Sequence, residues 1–329
     1  MVSLFNEDWL AREENYQATM TTEILPFLQA REHVMTVQGK GDNPLYTACL
    51  EAEQPVGSIL IVHGFTENAY KYAELVYSLL HNGFNVVIYD QRGHGRSWRS
   101  EDIPDLSRTH VDNFDEYVFD MEAVIDQALK NYRKPWMVFA HSMGGAVASL
   151  YLERHPDTFS RAVLCAPMIE ANRGGIPMIA GKIMCRSAVL TGHAKERLFN
   201  SRPYSGPENF DTSCATSRAR FDWYDGVKAT HPELQNNGPT FGWTLQSLRV
   251  TDRILSSGEV EKITCPVRLY TAEHDHSVLP DAQVRFADRL KNGRRTLVKG
   301  ARHEIYRSTD EVLYPWWHDI LSFLKEKPI

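Results

Sequence analysis

The chain has 329 residues, 43% of them hydrophobic and 24% charged, with 36 basic and 42 acidic side chains and a formal charge of −6 at pH 7. These proportions exclude collagen-like, disordered and disulfide-scaffold chains. They allow one large α/β domain with an insertion, or two ordinary domains, with a sizeable core in either case. Basic residues lie scattered among acidic ones rather than along a stripe, so nothing draws the chain to a phosphate backbone and no nucleic-acid partner is expected.

In chain order, residues 1–15 interleave Glu7, Asp8, Arg12, Glu13 and Glu14 with a few apolar side chains and lack the uninterrupted apolar stretch of a signal peptide. Residues 1–30 read as an N-terminal extension. The run 58–62, Ser-Ile-Leu-Ile-Val, predicts a strand buried on both faces, stopping at His63-Gly64. An amphipathic helix is predicted over 70–81, closed by Asn82-Gly83 where a left-handed residue is tolerated. A strand follows at 85–89, then a helix at 114–130 with Phe114, Tyr117, Val118, Met121, Val124, Ile125 and Ala128 on one stripe. Strand 136–140, helix 144–155 and strand 162–166 continue the alternation. It lapses over 167–259, a stretch rich in Gly, Pro, Arg and aromatic residues, and resumes with strand 267–270, helix 280–290, strand 295–298 and helix 309–325. Such alternation predicts a mostly parallel sheet flanked by helices. One α/β core, residues 31–166 and 260–329, interrupted by an insertion at 167–259, explains the pattern better than two domains in tandem.

Five cysteines, Cys49, Cys165, Cys185, Cys214 and Cys265, form an odd set without a C-x-x-C pair, which suits a reducing compartment better than a disulfide framework or a thiolate zinc site. No stretch reaches the roughly 18 apolar residues of a membrane span. The expectation is a cytoplasmic protein, with peripheral contact at the inner membrane face left open.

The strongest local signal is Ala140-His141-Ser142-Met143-Gly144-Gly145, where a strand gives way to a helix. A serine on so sharp a turn needs small residues two places either side, and Ala140 and Gly144 meet that need, although Ala140 departs from the usual G-x-S-x-G. A serine hydroxyl attacks only when a neighbouring base takes its proton, and an acid must hold that base in one tautomer. His303, between the last predicted strand and the last helix, stands where a base is required. Asp275, after strand 267–270, is the candidate acid, with Glu273 its nearest competitor. His274 and His276 flank Asp275, but imidazoles on opposite sides of an extended loop with no matching ligand cluster do not make a metal site, and none is expected. Two backbone N–H groups normally receive the oxyanion. Met143 N–H, after the serine, and Phe65 N–H, at the end of the earlier strand, are the natural pair. Residues 90–97, Asp-Gln-Arg-Gly-His-Gly-Arg-Ser, lack the spacing of a phosphate loop and read as a structural loop near the site.

His63-Gly64, residues 90–97, the segment 140–145, Ala166-Pro167, Asp275 and His303-Glu304-Ile305 together resemble the monoacylglycerol lipase and lysophospholipase branch of the α/β-hydrolases. The similarity runs through the insertion at Ser217-Arg218-Ala219-Arg220-Phe221 and Gly238-Pro239-Thr240-Phe241-Gly242-Trp243, and covers most of the chain after Tyr16. Ala140 at the first elbow position is shared with that subfamily. The resemblance implies an α/β-hydrolase fold with a helical cap and cofactor-free hydrolysis of a single acyl ester from a lysophospholipid or monoacylglycerol. Ser142, Asp275 and His303 would be its triad, Phe65 and Met143 its oxyanion donors, and His63-Gly64 part of its substrate-binding edge. Peptidase or thioesterase chemistry on the same triad remains an alternative, as does a catalytically silent binding module.

Within the insertion, Ile176, Ile179, Ala180, Ile183 and Met184 recur at helical spacing and either turn toward an acyl chain or pack a cap helix on the core. Phe241 and Trp243 either line the tunnel or fill the cap. Arg186, Arg197, Arg202, Arg218 and Arg220 either meet a phosphate at the tunnel mouth or lie on a solvated face. Oligomeric state is left open.

Overall fold

The computed structural model describes residues 3–199, 201–256 and 258–326. Its main sheet is built from β1 (His33–Gln38), β2 (Pro44–Leu50), β3 (Gly57–Val62), β4 (Phe84–Tyr89), β5 (Trp136–His141), β6 (Arg161–Cys165), β7 (Val267–His274) and β8 (Gly293–Arg302). The spatial order is β1-β2-β4-β3-β5-β6-β7-β8. β2 runs antiparallel to both β1 and β4, and the remaining pairs are parallel.

The continuous apolar runs have a physical cause, because β3, β4 and β6 are buried at every residue, as parallel strands covered by helices on both faces must be. Side chains alternate between the faces of the sheet. Leu60 and Val62 of β3 enter a core shared with the helices Asp115–Gln127 and Met143–Arg154, while Ile59 and Ile61 enter the core under Ala73–His81 and Asp310–Lys325. The helix predicted over 70–81 begins as a tight turn, Ala69–Tyr72, capped by the Asn68 side chain, and Gly83 follows it at φ 83°. The two last strands run further than their apolar cores, which places the loops carrying residues 275 and 303 at the same sheet end as Ser142.

β1 and β2 carry no prediction in the sequence, and for β1 the reason is its position. β1 is an edge strand, exposed or half-exposed at all positions but Val37, so it has no apolar run to announce it. Residues 4–29 wrap over the helices Ala73–His81 and Arg218–Thr230 through Phe5, Tyr16, Met20 and Ile24. Between β6 and β7 the chain leaves the sheet and forms three helices, Met178–Leu190, Arg218–Thr230 and Phe241–Ile254, over the sheet end that carries Ser142. Among the described residues no helix is long and apolar enough to cross a membrane.

Candidate active site

β5 ends at His141 and the next helix begins at Met143, leaving a single residue to reverse the chain. That residue, Ser142, has φ 50° and ψ −116°, a conformation a side chain tolerates only where its surroundings impose it. Its N–H donates to Cys165 O at 3.1 Å, and its carbonyl accepts from Met168 N at 2.8 Å and Ala146 N at 3.2 Å. Close approach explains the glycines. A Cβ on Gly144 would stand 2.2 Å from Val62 O and 2.6 Å from His63 O, and one on Gly145 would stand 2.6 Å from Pro167 Cβ. Thr66 and Ala166 also have positive φ, 60° and 42°. Backbone strain is therefore gathered where β3, β5 and β6 end side by side.

The hydroxyl of Ser142 meets His303 Nε2 at 2.8 Å, and His303 Nδ1 meets Asp275 Oδ2 at 2.8 Å. The other carboxylate oxygen, Oδ1, accepts from Ser277 N at 2.8 Å and Val278 N at 3.1 Å, so both lone-pair faces of Asp275 are used. Burial raises the Asp275 pKa, but the His303 imidazole and these hydrogen bonds outweigh it and hold the carboxyl below its ordinary value. Glu273 turns elsewhere, accepting from Gly300 N at 2.8 Å on the exposed edge of the sheet. Ser142 and His303 are only 5% and 6% exposed, so the pair sits in a nearly dry recess under the cap.

The remaining predicted residues divide by position. Met143 is buried at the first turn of its helix, where backbone N–H groups have no intrahelical acceptor. Phe65 is half-buried, with its ring 4.0 Å from that of Trp243. His63 has no exposed surface: its Nδ1 donates to Gly64 O at 2.7 Å and its Nε2 accepts from Gln91 N at 2.9 Å. Burial lowers its pKa, in keeping with a neutral ring that fastens the loop 90–97 to β3. Gly64 donates to Glu67 Oε2 at 2.5 Å. Within the loop 90–97, Asp90 accepts from Ala69 N and Arg96 N, and Arg92 pairs with Asp120 and Glu116.

Phe241 is buried inside the cap with Cys185 and Leu245. Ile179 and Ile183, 73% and 62% exposed, lie on the outer face of their helix, while Gly181 and Cys185 form its inner face. Of the insertion's arginines, Arg197 pairs with Asp105, Arg218 with Asp222, and fully buried Arg220 with Glu74 and Asp310. Arg186 and Arg202 are exposed. One group of carboxylate and imidazole side chains among the described residues is close enough to share an ion, Glu7, Asp8 and His318. It joins the N-terminal segment to the last helix and does not include Ser142, Asp275 or His303.

Behind the triad lies a charged cluster that motif reading does not assign. Glu67 accepts from Tyr72 OH and Tyr306 OH at 2.6 Å each and meets His141 Nδ1 at 3.1 Å, while His141 Nε2 donates to His303 O at 3.1 Å. Burial opposes the charge on both partners. The His141 ring, with Lys71, nevertheless holds Glu67 well below the usual carboxylate range, and Glu67 in turn lifts His141 above an ordinary histidine. With Glu67 held ionised, both ring nitrogens of His141 face acceptors, the arrangement of an imidazolium. Lys71 extends the cluster to Glu304 at 2.6 Å. One sequence signal was available: Glu67 and Lys71 are four residues apart just beyond His63-Gly64, the spacing of a helical ion pair.

The family profile Hydrolase_4, described as serine aminopeptidase, S33, matches residues 53–310. Lysophospholipase L2 of Escherichia coli K12 is 30% identical over 332 aligned residues, covering 96% of this chain and 94% of that protein. A probable lysophospholipase L2 of Haemophilus influenzae is 27% identical over 92% of this chain and 95% of its own. Among solved structures, a soluble variant of monoglyceride lipase from Saccharomyces cerevisiae superposes with a TM-score of 0.72 at 19% identity, covering 90% of this chain and 95% of that one, a likeness of fold. Matched by the family profile through six of the eight strands of its main sheet and the whole insertion, and to one relative over almost its whole length, the chain belongs to the Hydrolase_4 family of α/β-hydrolases and is a hydrolase acting on carboxylic esters.

Proposed function

We propose that this chain cleaves the single acyl ester of a lysophospholipid or a monoacylglycerol through an acyl-enzyme formed on Ser142. His303 takes the serine proton as Oγ attacks the ester carbonyl, then returns it to the leaving alcohol. Asp275 accepts from Nδ1–H, leaving Nε2 free to take the serine proton, and stabilises the imidazole once charged. The N–H groups of Phe65 and Met143 receive the oxyanion, each contributing on the order of a hundredfold or more to the rate. Water then enters, His303 activates it, and the acyl group leaves as a carboxylate. The observation that carries this assignment is the unbroken relay Ser142 Oγ, His303, Asp275, with 2.8 Å at both contacts.

The dry recess and the aromatic pair Phe65 and Trp243 suit an acyl chain better than a peptide. Ile176, Ile179, Ile183, Leu190 and Phe199 are exposed on one part of the cap, an apolar surface suited to resting on a lipid aggregate from which such substrates are drawn. A fluorophosphonate should label Ser142 in the folded protein, and Ser142→Ala should abolish labelling and lower kcat at least about a thousandfold. A panel of lysophospholipids, monoacylglycerols and matched amides and thioesters then separates the substrates. Preference for the amide or thioester would replace the lipid-ester assignment, and a wild-type protein that never labels would make the fold a binding module.

A further inference from the structure

His303 sits in a segment that is held from the cap as much as from the sheet. Arg302, immediately before it, reaches residues 210–215 of the cap. There its Nη1 donates to Phe210 O at 3.1 Å, Ser213 O at 3.2 Å and Ala215 O at 3.2 Å. Immediately after it, Glu304 N donates to Cys214 O at 3.0 Å. Four residues on, Arg307 O accepts from Ser217 N at 3.0 Å and Thr216 N at 3.3 Å. The buried Arg307 guanidinium forks between Glu304 Oε2 at 2.5 Å and the carbonyls of Arg220 and Phe221 at 3.2 and 3.4 Å. The cap side is itself anchored, because Arg220, its side chain wholly buried, bonds Glu74, Asp310 and the carbonyls of Ala11 and Ser308.

We infer that Arg302 and Arg307 are positioning residues: the two arginines that bracket His303 tie its loop to residues 210–221, making that part of the cap a fixed component of the catalytic apparatus. The inference rests on His303 being the general base. Its physical basis is that a base must stay within hydrogen-bond reach of both Ser142 and Asp275, and a shift of about 1 Å costs on the order of a hundredfold in rate. The strand ladder ends at Arg302, paired with His274, and a single tight turn, Ile305–Arg307, follows, so His303 itself stands between the two. Here the missing partners are cap carbonyls, which a cationic donor satisfies more strongly than a neutral one.

The two arginines make different demands on a replacement. At position 302 one nitrogen serves three carbonyls, a task that the three N–H bonds of a lysine ammonium can also perform. At position 307 two nitrogens must reach partners on opposite sides, which a single ammonium cannot. Steady-state kinetics on a short-chain p-nitrophenyl ester, which needs no long acyl chain to be bound, and the rate of fluorophosphonate labelling are the readouts. Arg302→Met should lower kcat and the labelling rate at least about tenfold with KM within about twofold, and Arg302→Lys should recover most of both. Arg307→Met and Arg307→Lys should be equally impaired. Circular dichroism checks the fold, and Arg302, only half-buried, gives the variant least exposed to misfolding. The proposal is overturned if folded Arg302→Met keeps kcat within threefold of the parent, if its loss falls on KM alone, or if Arg302→Lys recovers nothing. Parent protein that fails to label at all removes the assignment of His303 as base; parent that labels while Arg302→Met labels equally fast removes only the positioning role.

Discussion

At Gly144 the cost of a single methyl group can be read from distance. Its added Cβ would stand 2.2 Å from a backbone oxygen of β3, an atom that cannot swing aside as a side chain would. Gly144→Ala should destabilise the protein by about 1–3 kcal/mol, seen in urea unfolding, and should lower kcat as well, because relief requires the helix start that carries Met143 N–H to move. Asp275→Asn keeps the shape of the acid but offers an amide where a carboxylate held one tautomer, so kcat should fall on the order of ten thousandfold while the fold persists. Near-normal turnover in that variant would mean that Glu273 can take over as acid. The residue types were legible without coordinates, since a serine on a strand-to-helix turn with downstream Asp and His defines a short set of partners. The choice between Glu273 and Asp275 was not, because both lie just beyond the predicted strand 267–270. The structure separates them through β7, which runs on to His274, and through a turn in which Ser277 and Val278 N–H groups seize the Asp275 carboxylate. The Glu67 and His141 pair was hidden for a different reason, as its members are 74 positions apart and meet only when β3 and β5 lie side by side.

Among the elements, the helix Met178–Leu190 shows the limits of periodicity. Its spacing announces an apolar face but not what that face meets. In the fold, Gly181 and Cys185 turn inward against the helix Phe241–Ile254, and the isoleucines turn outward. An outward apolar face suits a lipid surface, and each buried methylene there contributes roughly 0.8 kcal/mol. Replacing both Ile179 and Ile183 by Ser should weaken sedimentation with phosphatidylcholine vesicles at least about tenfold and slow hydrolysis of vesicle-borne esters. Turnover of a dissolved short-chain ester should be spared. Equal loss on both substrates would make the helix a structural cover. The strands sort in the same physical terms. β3, β4 and β6 were plain in the sequence because burial on both faces demands unbroken apolar runs, whereas β1, exposed at the rim, and β2, whose run opens on Pro44 and is broken by Thr47, were not.

For the molecule as a whole, one buried acid should shape the dependence of stability on pH. Glu153, 4% exposed and with a carboxylate oxygen lacking a partner, has its pKa pushed up to about 8, by burial first and by Glu259 second. Folding therefore favours its protonated form. The stability tied to that proton is complete below the ordinary value of 4.5 and is lost as pH rises through about 8. Glu153→Gln, which cannot ionise, should be more stable than the parent at pH 8, on the order of 1 kcal/mol or more, with a smaller difference at pH 5. Denaturant titrations at the two pH values would show it, and a difference independent of pH would place the effect in packing. Neither this burial nor the clamp around His303 has a signature along the chain. Composition, the alternation of apolar runs with amphipathic helices, and the small residues around Ser142 were enough for the layered parallel sheet and for singling out Ser142 as the candidate nucleophile, because those features follow from local geometry and from burial that each segment records in its own side chains. Which acid faces His303, which way the cap isoleucines point and what holds the base in place depend on contacts between segments up to hundreds of residues apart, and such contacts leave no periodic trace in either partner.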